Sequence, residues 1–393
     1  MIISAIIAEY NPFHNGHLLH IQETIKNTKC DYLIVVLSGS ITQRGTPSII
    51  SKWDRAKAAV LAGADLVIEL PAPFSLASAQ NFSFAAVSLL ESLKIVDFLS
   101  FGSESGDIDE LAKVATVSDS FEVYEQTFEN LKSGISYSVA KQISIAAAKN
   151  CDENILTSSN NILAVEYLIA LNRLGSKITP YTYKRDTVNH NDLTPNGDFA
   201  SATAIRKMIF ESKPFEKYLP SYSFEMIQNA NIASLDFIDF GIMPLLRSYS
   251  ISSFKDVPEI SEGLDHRILK NLYLSTSFSS FLEAASTRRY TKSRIRRAIF
   301  YSILKVKNTD MKITPSYARI LAASKKGPAL INLIKKASDI PIITKPKSAT
   351  ELLSKEQLNT FEIESRATDF CGLCKKTPVP GGENLTKSPF IEK

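Results

Sequence analysis

Four apolar, β-branched runs, IISAIIA, DYLIVVL, DLVIEL and KIVDFLSFG, recur along the first hundred residues, separated by stretches with helical periodicity. That alternation implies βαβ units, in which crossover helices join the strands of a parallel sheet. A further strand candidate, KITPYTYKR, follows the helix-like NNILAVEYLIALNRLG, whose Gly175 suits a helix stop. After about residue 210 the strand runs nearly vanish and helical patterns such as FLEAASTRRYTKSRIRRAIFYSILKVK take over. With 393 residues the chain is too long for one core of ordinary size. The expected organisation is therefore an α/β parallel-sheet domain over 1–210 and a mainly helical domain over 211–374. The polar, Pro/Gly-containing tail from 375 to 393 is expected to be disordered.

Composition narrows the setting. No run of about 18 apolar residues exists, and the apolar start MIISAII lacks the basic leader of a secretory signal. Four cysteines in 393 residues cannot build a disulfide framework, which favours a reducing cytoplasm. The net charge of +4 says little as a whole-chain average.

EYNPFHNGHLLH places three of the five histidines within seven residues, just after the first apolar run. In an α/β sheet, ligands lie beyond the carboxyl ends of strands, where the next helix points its free N–H groups. Pro12 would end the strand, and Gly16 would let backbone approach a bulky group closely. His14 and His17, three residues apart, share a helix face and could converge on phosphate oxygens of a nucleotide. His14, His17 and His20 could instead ligate a metal or be ordinary histidines, although the third drifts around the helix and no thiolate or carboxylate follows within reach. A second stretch, FASATAIRKMIF, offers Ser201 or Thr203 as helix caps, then Arg206 and Lys207 in the first turn. Hydroxyls, helix N–H groups and cations together make a polyphosphate seat. The chain has neither GxxxxGK[ST] nor GxGxxG, so a nucleotide would need such an alternative cradle.

NPFHNGH and SATAIRK resemble the HxGH signature and the later Ser/Thr-rich, Arg-bearing motif of the Rossmann-like nucleotidylyltransferases. Together with SGSITQRGTPSIISKWDRAKAAVLAGADLVIELP, FGSESGDI, NNILAVEY and RRYTKSRIRR, they resemble the bacterial tRNA(Met) cytidine acetate ligase family over about residues 1 to 370. The resemblance implies that ATP, with Mg²⁺, activates acetate as acetyl-adenylate. The acetyl group then passes to the wobble cytidine of elongator tRNA(Met). By the family pattern the ATP site is the loop of Ile7, Ala8, Glu9, Tyr10, Asn11, Pro12, Phe13, His14, Asn15, Gly16, His17, Leu18, Leu19 and His20. Gly102, Asn160 and Arg185 join it. Ser201, Thr203 and Arg206 would hold the departing pyrophosphate, and His14 and His17 would be the catalytic donors. No protein metal site is implied.

Three further expectations follow. Gln43 and Arg44 in SGSITQRG are candidates for the acetate pocket, and a plain surface loop is the competing reading. Between Ala284 and Thr309 lie eight Lys or Arg and no acid. On a helix, Arg294, Arg297 and Tyr301 would face outward, so Arg288, Arg289, Lys292, Arg294 and Arg297 are candidate RNA contacts, or else a solvated face. The single CxxC pair, Cys371 and Cys374, lacks the second ligand pair of a zinc site. The rival functions are a cofactor-type nucleotidyltransferase and a non-catalytic RNA-binding protein on the same fold.

Overall fold

A computed structural model describes residues 1–148, 153–185, 195–312 and 314–392. The first two apolar runs form β1 (Ile3–Ala8) and β2 (Tyr32–Ser38). A small antiparallel hairpin, β3 (Ile41–Thr42) with β4 (Thr46–Pro47), precedes β5 (Leu66–Leu70), β6 (Phe98–Ser103) and β7 (Thr179–Lys184). Five strands lie in the order β5-β2-β1-β6-β7, every neighbouring pair parallel, with Ile6 opposite both Val35 and Ser100. The chain starts in the middle, builds outward to β5 and crosses back to β6. That reversal leaves a crevice beyond the carboxyl ends of β1 and β6.

Both faces of the sheet are covered, which is why the strands read as continuous apolar runs. Side chains alternate: Leu33, Val35 and Leu37 pack with Ile21 of α1 (Asn15–Thr28) and with Trp53, Ala56 and Ala59 of α2 (Lys52–Leu61). Ile34 and Val36 turn to the other face, against α3 (Ala79–Ser92), α4 (Ile108–Ser118) and, beyond α5 (Phe121–Leu131) and α6 (Tyr137–Ala147), α7 (Ser159–Arg173). After α8 (Ala202–Phe210) and α9 (Ser221–Gln228) come α10 (Asp239–Arg247), α11 (Leu264–Leu274), α12 (Phe278–Ala285) and α13 (Lys292–Ile303). These four share a core of their own around Leu246, Ile268, Phe281 and Ile299.

The C-terminal part then returns to the sheet. β8 (Ala318–Ala323) pairs antiparallel with β5, and is followed by α14 (Gly327–Ala337), β9 (Ile342–Ile343), α15 (Ala349–Leu352) and α16 (Lys355–Leu373). Its segment ARILAA is short and alanine-rich, so its apolar character alone does not separate strand from helix. Residues 375–392, where composition suggests disorder, hold α17 (Glu383–Thr386) and β10 (Phe390–Ile391), the latter parallel to β8. Their polar groups serve the interior: Asn384 is fully buried and its Oδ1 accepts from Lys52 Nζ at 2.7 Å. Cys371 lies within α16 and Cys374 caps it; both are buried, and burial pushes Cys374 up to about 12 and Cys371 well above its usual value. Neither is a reactive thiolate.

Candidate active site

The turn after β1 sets the site. Glu9 leaves the strand, Tyr10 takes a left-handed φ of +50°, and the Asn11–Pro12 bond is cis. His14 is the N-cap of α1: its Nδ1 accepts the Gly16 N–H at 3.1 Å, while its own N–H donates to Nδ1 of His17 at 3.3 Å. The two rings stack, centroids 3.6 Å apart and planes 24° from parallel. Because each Nδ1 accepts, each neutral ring carries its proton on Nε2. Two parallel N–H donors thus stand beside the amino end of a helix. The close approach at Gly16 is to His14 itself, whose ring would lie 3.0 Å from an added Cβ.

His20 behaves differently. Its Nε2 is 3.2 Å from Ser100 Oγ and its ring packs on Tyr183, 4.9 Å between centroids. Burial, reinforced by Arg185, lowers its pKa to about 3, so it is neutral and does not supply charge. Among the described residues no three His, Cys, Asp or Glu side chains converge on a metal position.

A cavity of about 270 Å³ opens at the crevice. Ile7 to Asn11, His14, His17 and His20 line it from the β1 side, Gly102 and Arg185 from the β6–β7 side, Asn160 from α7, and Ser201 and Arg206 from α8. Residues separated by up to 199 positions thus meet in one wall. Pro12, Phe13, Asn15, Gly16, Leu18, Leu19 and Thr203 are not part of that wall. Several support it: Phe13 is wholly buried, and Asn15 Nδ2 donates to the carbonyls of Asp198 and Lys217, each at 2.9 Å.

Ser201 caps α8, its Oγ accepting from Ala204 N–H at 3.0 Å. Arg206 lies in the second turn and reaches back, Nη1 to the Asn11 carbonyl at 2.5 Å and Nη2 to Thr203 Oγ1 at 3.1 Å. Burial lowers its pKa to about 10, so it remains a cation at neutral pH. Gly102 is required by its neighbours: a Cβ there would come within 2.8 Å of Arg185 Cδ and 2.9 Å of the Tyr183 ring. Asn160 is not the cap of α7; Ser158 holds that position. The first turn is instead tied by Glu104, which accepts from Ser158 Oγ at 2.9 Å, Asn160 Nδ2 at 2.7 Å and Asn161 N–H at 2.9 Å. A carboxylate at a helix start is favourable, and the FGSESGDI motif contains Glu104.

Sequence reasoning also missed the charges beneath the site. Arg55, fully buried, donates to the carbonyls of Glu9 and Gly39, each at 2.5 Å. Beside it Lys52 meets Glu69, and Glu364 at 2.8 Å. Glu364 accepts from Ala72 N–H at 2.7 Å and Ser40 N–H at 3.0 Å. Burial opposes its charge, but Lys52 and those N–H groups outweigh burial and hold its pKa below the usual range. SKWDRAK signals a helix start in the sequence, while two partners of Lys52, Glu364 and Asn384, sit 312 and 332 residues away.

On α13 the basic run is compensated. Arg297 Nε donates to Glu259 at 2.8 Å, Arg294 to the Glu259 carbonyl at 3.2 Å and Ser261 Oγ at 2.7 Å. Arg289 pairs with Glu262 at 2.6 Å, Lys292 pairs with Glu283, and Arg288 is exposed. Arg289, Arg294 and Arg297 line a second cavity of about 680 Å³, which shares Ala79 and Ile162 with the first. Tyr301, expected to face outward, is buried with its hydroxyl 3.2 Å from the Pro73 carbonyl. The helix has two buried sides, one on α10–α12 and one on Ile41, Ala72 and Leu76, so a single-face reading misplaces it.

The profile of the HIGH Nucleotidyl Transferase family matches residues 1–383. The tRNA(Met) cytidine acetate ligase of Thermoanaerobacter sp. (strain X514) is 41% identical over 97% of this chain and 98% of its own. That of Clostridium botulinum (strain Okra / Type B1) is 39% identical over 100% and 99%. The crystal structure of Thermotoga maritima TmcAL bound with alpha-thio ATP superposes with a TM-score of 0.92 at 30% identity, covering all of both chains.

Proposed function

The chain belongs to the tRNA(Met) cytidine acetate ligases of the HIGH nucleotidyl transferase family, and from that premise we propose how its residues perform the reaction. It is an ATP-dependent ligase that joins acetate to a cytidine of tRNA(Met). The product is N4-acetylcytidine at the wobble position of the elongator species, made in the cytoplasm. No helix among the described residues is long and apolar enough to cross a membrane.

The observation that carries the assignment is that the stacked His14–His17 pair, Arg206 and the amino end of α8 line one cavity. An acetate oxygen attacks the α-phosphorus of ATP and pyrophosphate leaves. The Nε2–H groups of His14 and His17 donate to oxygens that gain charge, each contributing roughly 3 kcal/mol. Arg206 and the α8 N–H groups hold the departing pyrophosphate, while Asn160, Gly102 and Arg185 border the nucleoside. With no three convergent protein ligands among the described residues, a magnesium ion accompanying ATP would be held by phosphate oxygens and water, where it neutralises charge. The cytidine amine then attacks the mixed anhydride and AMP leaves.

Exchange of labelled pyrophosphate into ATP by the purified protein tests the reading. Exchange that appears only with acetate, and without tRNA, is expected. Exchange dependent on a phosphorylated metabolite instead would assign the cofactor-type reaction.

A further inference from the structure

The hairpin between β3 and β4 enters the ATP cavity as a clamped turn. Gln43 N–H donates to Glu9 Oε1 at 2.7 Å, fastening the turn to the end of β1. Gly45 N–H closes it onto the Thr42 carbonyl at 2.9 Å. Gly45 has a φ of +69°, and a Cβ there would lie 2.6 Å from Arg296 Cβ of α13, so the turn is wedged between the two halves of the molecule. Its side chains are therefore presented from a fixed backbone. Thr42, Gln43, Arg44 and Thr46 all line the cavity.

On that wall Gln43 Nε2 is buried and has no hydrogen-bond partner among the described residues. A buried amide donor left unmade is unfavourable, and a native site that keeps one calls for an acceptor from outside the chain. Charge says which acceptor. Arg44 stands close enough to Arg206 to disfavour its charge, adding to the larger effect of burial, while Glu9 favours it, so this corner of the cavity sets two cations against one carboxylate that is already engaged with the Gln43 N–H. A neutral amide donor beside a cation suits a carboxylate. The polyphosphate already has His14, His17, Arg206 and the α8 terminus, and the hairpin adds a separate set of polar side chains to the lining of the same cavity.

We infer that Gln43, with Arg44, is the seat of the acetate carboxylate. This rests on the ligase reading and deepens it. Gln43 Nε2–H holds one carboxylate oxygen and so directs the other at the α-phosphorus. The new P–O bond forms as the bond from that phosphorus to the bridging oxygen breaks, the electron pair leaving with pyrophosphate; no proton changes hands. Because the turn is fixed at Glu9 and at α13, it cannot retreat to admit a longer chain, which gives the site its preference for a two-carbon acid.

Acetate-dependent pyrophosphate exchange in the full-length protein decides the matter. Gln43→Leu, close in volume but without a donor, should raise KM for acetate at least tenfold while KM for ATP changes less than twofold. Gln43→Glu should lose more, because it sets a like charge against acetate, and Gln43→Asn should fall between. Thermal melting of Gln43→Leu should match or exceed that of the unaltered protein, since the orphaned donor is gone. An unchanged acetate KM in a folded Gln43→Leu, or KM values for acetate and ATP that rise together, would overturn the assignment. If the unaltered protein shows no acetate-dependent exchange, the ligase reading itself fails and the acetate seat fails with it.

Discussion

Of the cations paired with carboxylates among the described residues, the group beneath the active site is sealed from water and the group around α13 is not. Under the active site, Lys52, Glu69 and Glu364 have fully buried side chains, and Arg319 is 2% exposed. On α13 and just before it, the side chains of Arg297, Arg294, Arg289 and Lys292 are 13%, 18%, 33% and 44% exposed. The pairing chemistry is the same and the consequences are not. Water screens the second group, so its partners are exchangeable and an incoming phosphate can compete for them. The first group has no such competitor. Several of its groups are spent on backbone: Arg55 on Glu9 and Gly39, Glu364 on Ser40 and Ala72. Burial thus converts ion pairs into a frame for the loops of the cavity.

The comparison breaks most easily at Glu364. Glu364→Ala leaves Lys52 with one buried carboxylate fewer and orphans the Ser40 and Ala72 N–H groups, so a loss of about 3–5 kcal/mol is expected in urea unfolding. Glu364→Gln should lose less, because an amide oxygen still accepts from the backbone. A loss below about 1 kcal/mol in Glu364→Ala would make the buried cluster no different from a surface pair.

What the frame supports can be measured next. His17→Ala removes one donor and half of the reciprocal cap, while leaving every member of the buried cluster in place. Acetate-dependent pyrophosphate exchange should fall about 10²–10³-fold, with tRNA affinity nearly unchanged because α13 is untouched. Undiminished exchange would mean that the frame holds the histidines for some other purpose.

The part of this arrangement that was legible in sequence is the part encoded locally. HxGH, SATAIR and the strand alternation each declare themselves within a dozen residues, and the structure gathers His14, His17, Ser201 and Arg206 into one wall. The frame is encoded at long range. Lys52 looks like a solvated position of an ordinary helix until Glu364 and Asn384 arrive from the other end of the chain. For the same reason ARILAA was unreadable as a strand and the tail looked disordered: their partners, β5 and Lys52, are not neighbours in sequence. The basic run of α13 suggested free cations because, of its counterions, only Glu283 borders it, while Glu259 and Glu262 come from the segment before α11.

A buried neutral group sharpens what burial does without pairing. His20 titrates near 6.5 when unfolded and at about 3 when folded, so the unfolded chain takes up the proton first as pH falls. Its contribution is complete above 6.5 and declines below that value by up to about 1.4 kcal/mol per pH unit. His20→Gln, which keeps an amide near Ser100, should therefore lose less stability than the unaltered protein between pH 6.5 and pH 5. Parallel declines over that window, followed by thermal melting, would show that His20 is protonated in the folded state.

The smallest effect on folding is expected on α13, and it is the one that tests the open group as an RNA surface. Arg294→Glu with Arg297→Glu sets new acids opposite Glu259 and Glu262, and because both arginines keep a water-facing edge the loss of stability should stay below that of Glu364→Ala. Acetate-dependent exchange should persist, since neither residue lines the ATP cavity. If RNA phosphates displace the carboxylates from these arginines, the double variant should bind tRNA(Met) more weakly and with a flatter salt dependence, because fewer counterions are released. Glu259→Gln gives the opposite sign: it frees Arg297 from its partner and should tighten binding while steepening the salt slope. Unchanged affinity and slope in both variants would make this face a self-compensated surface, and the search for the tRNA contact would pass to Arg288 and to Lys325, Lys326, Lys335 and Lys336 at the two ends of α14, all exposed.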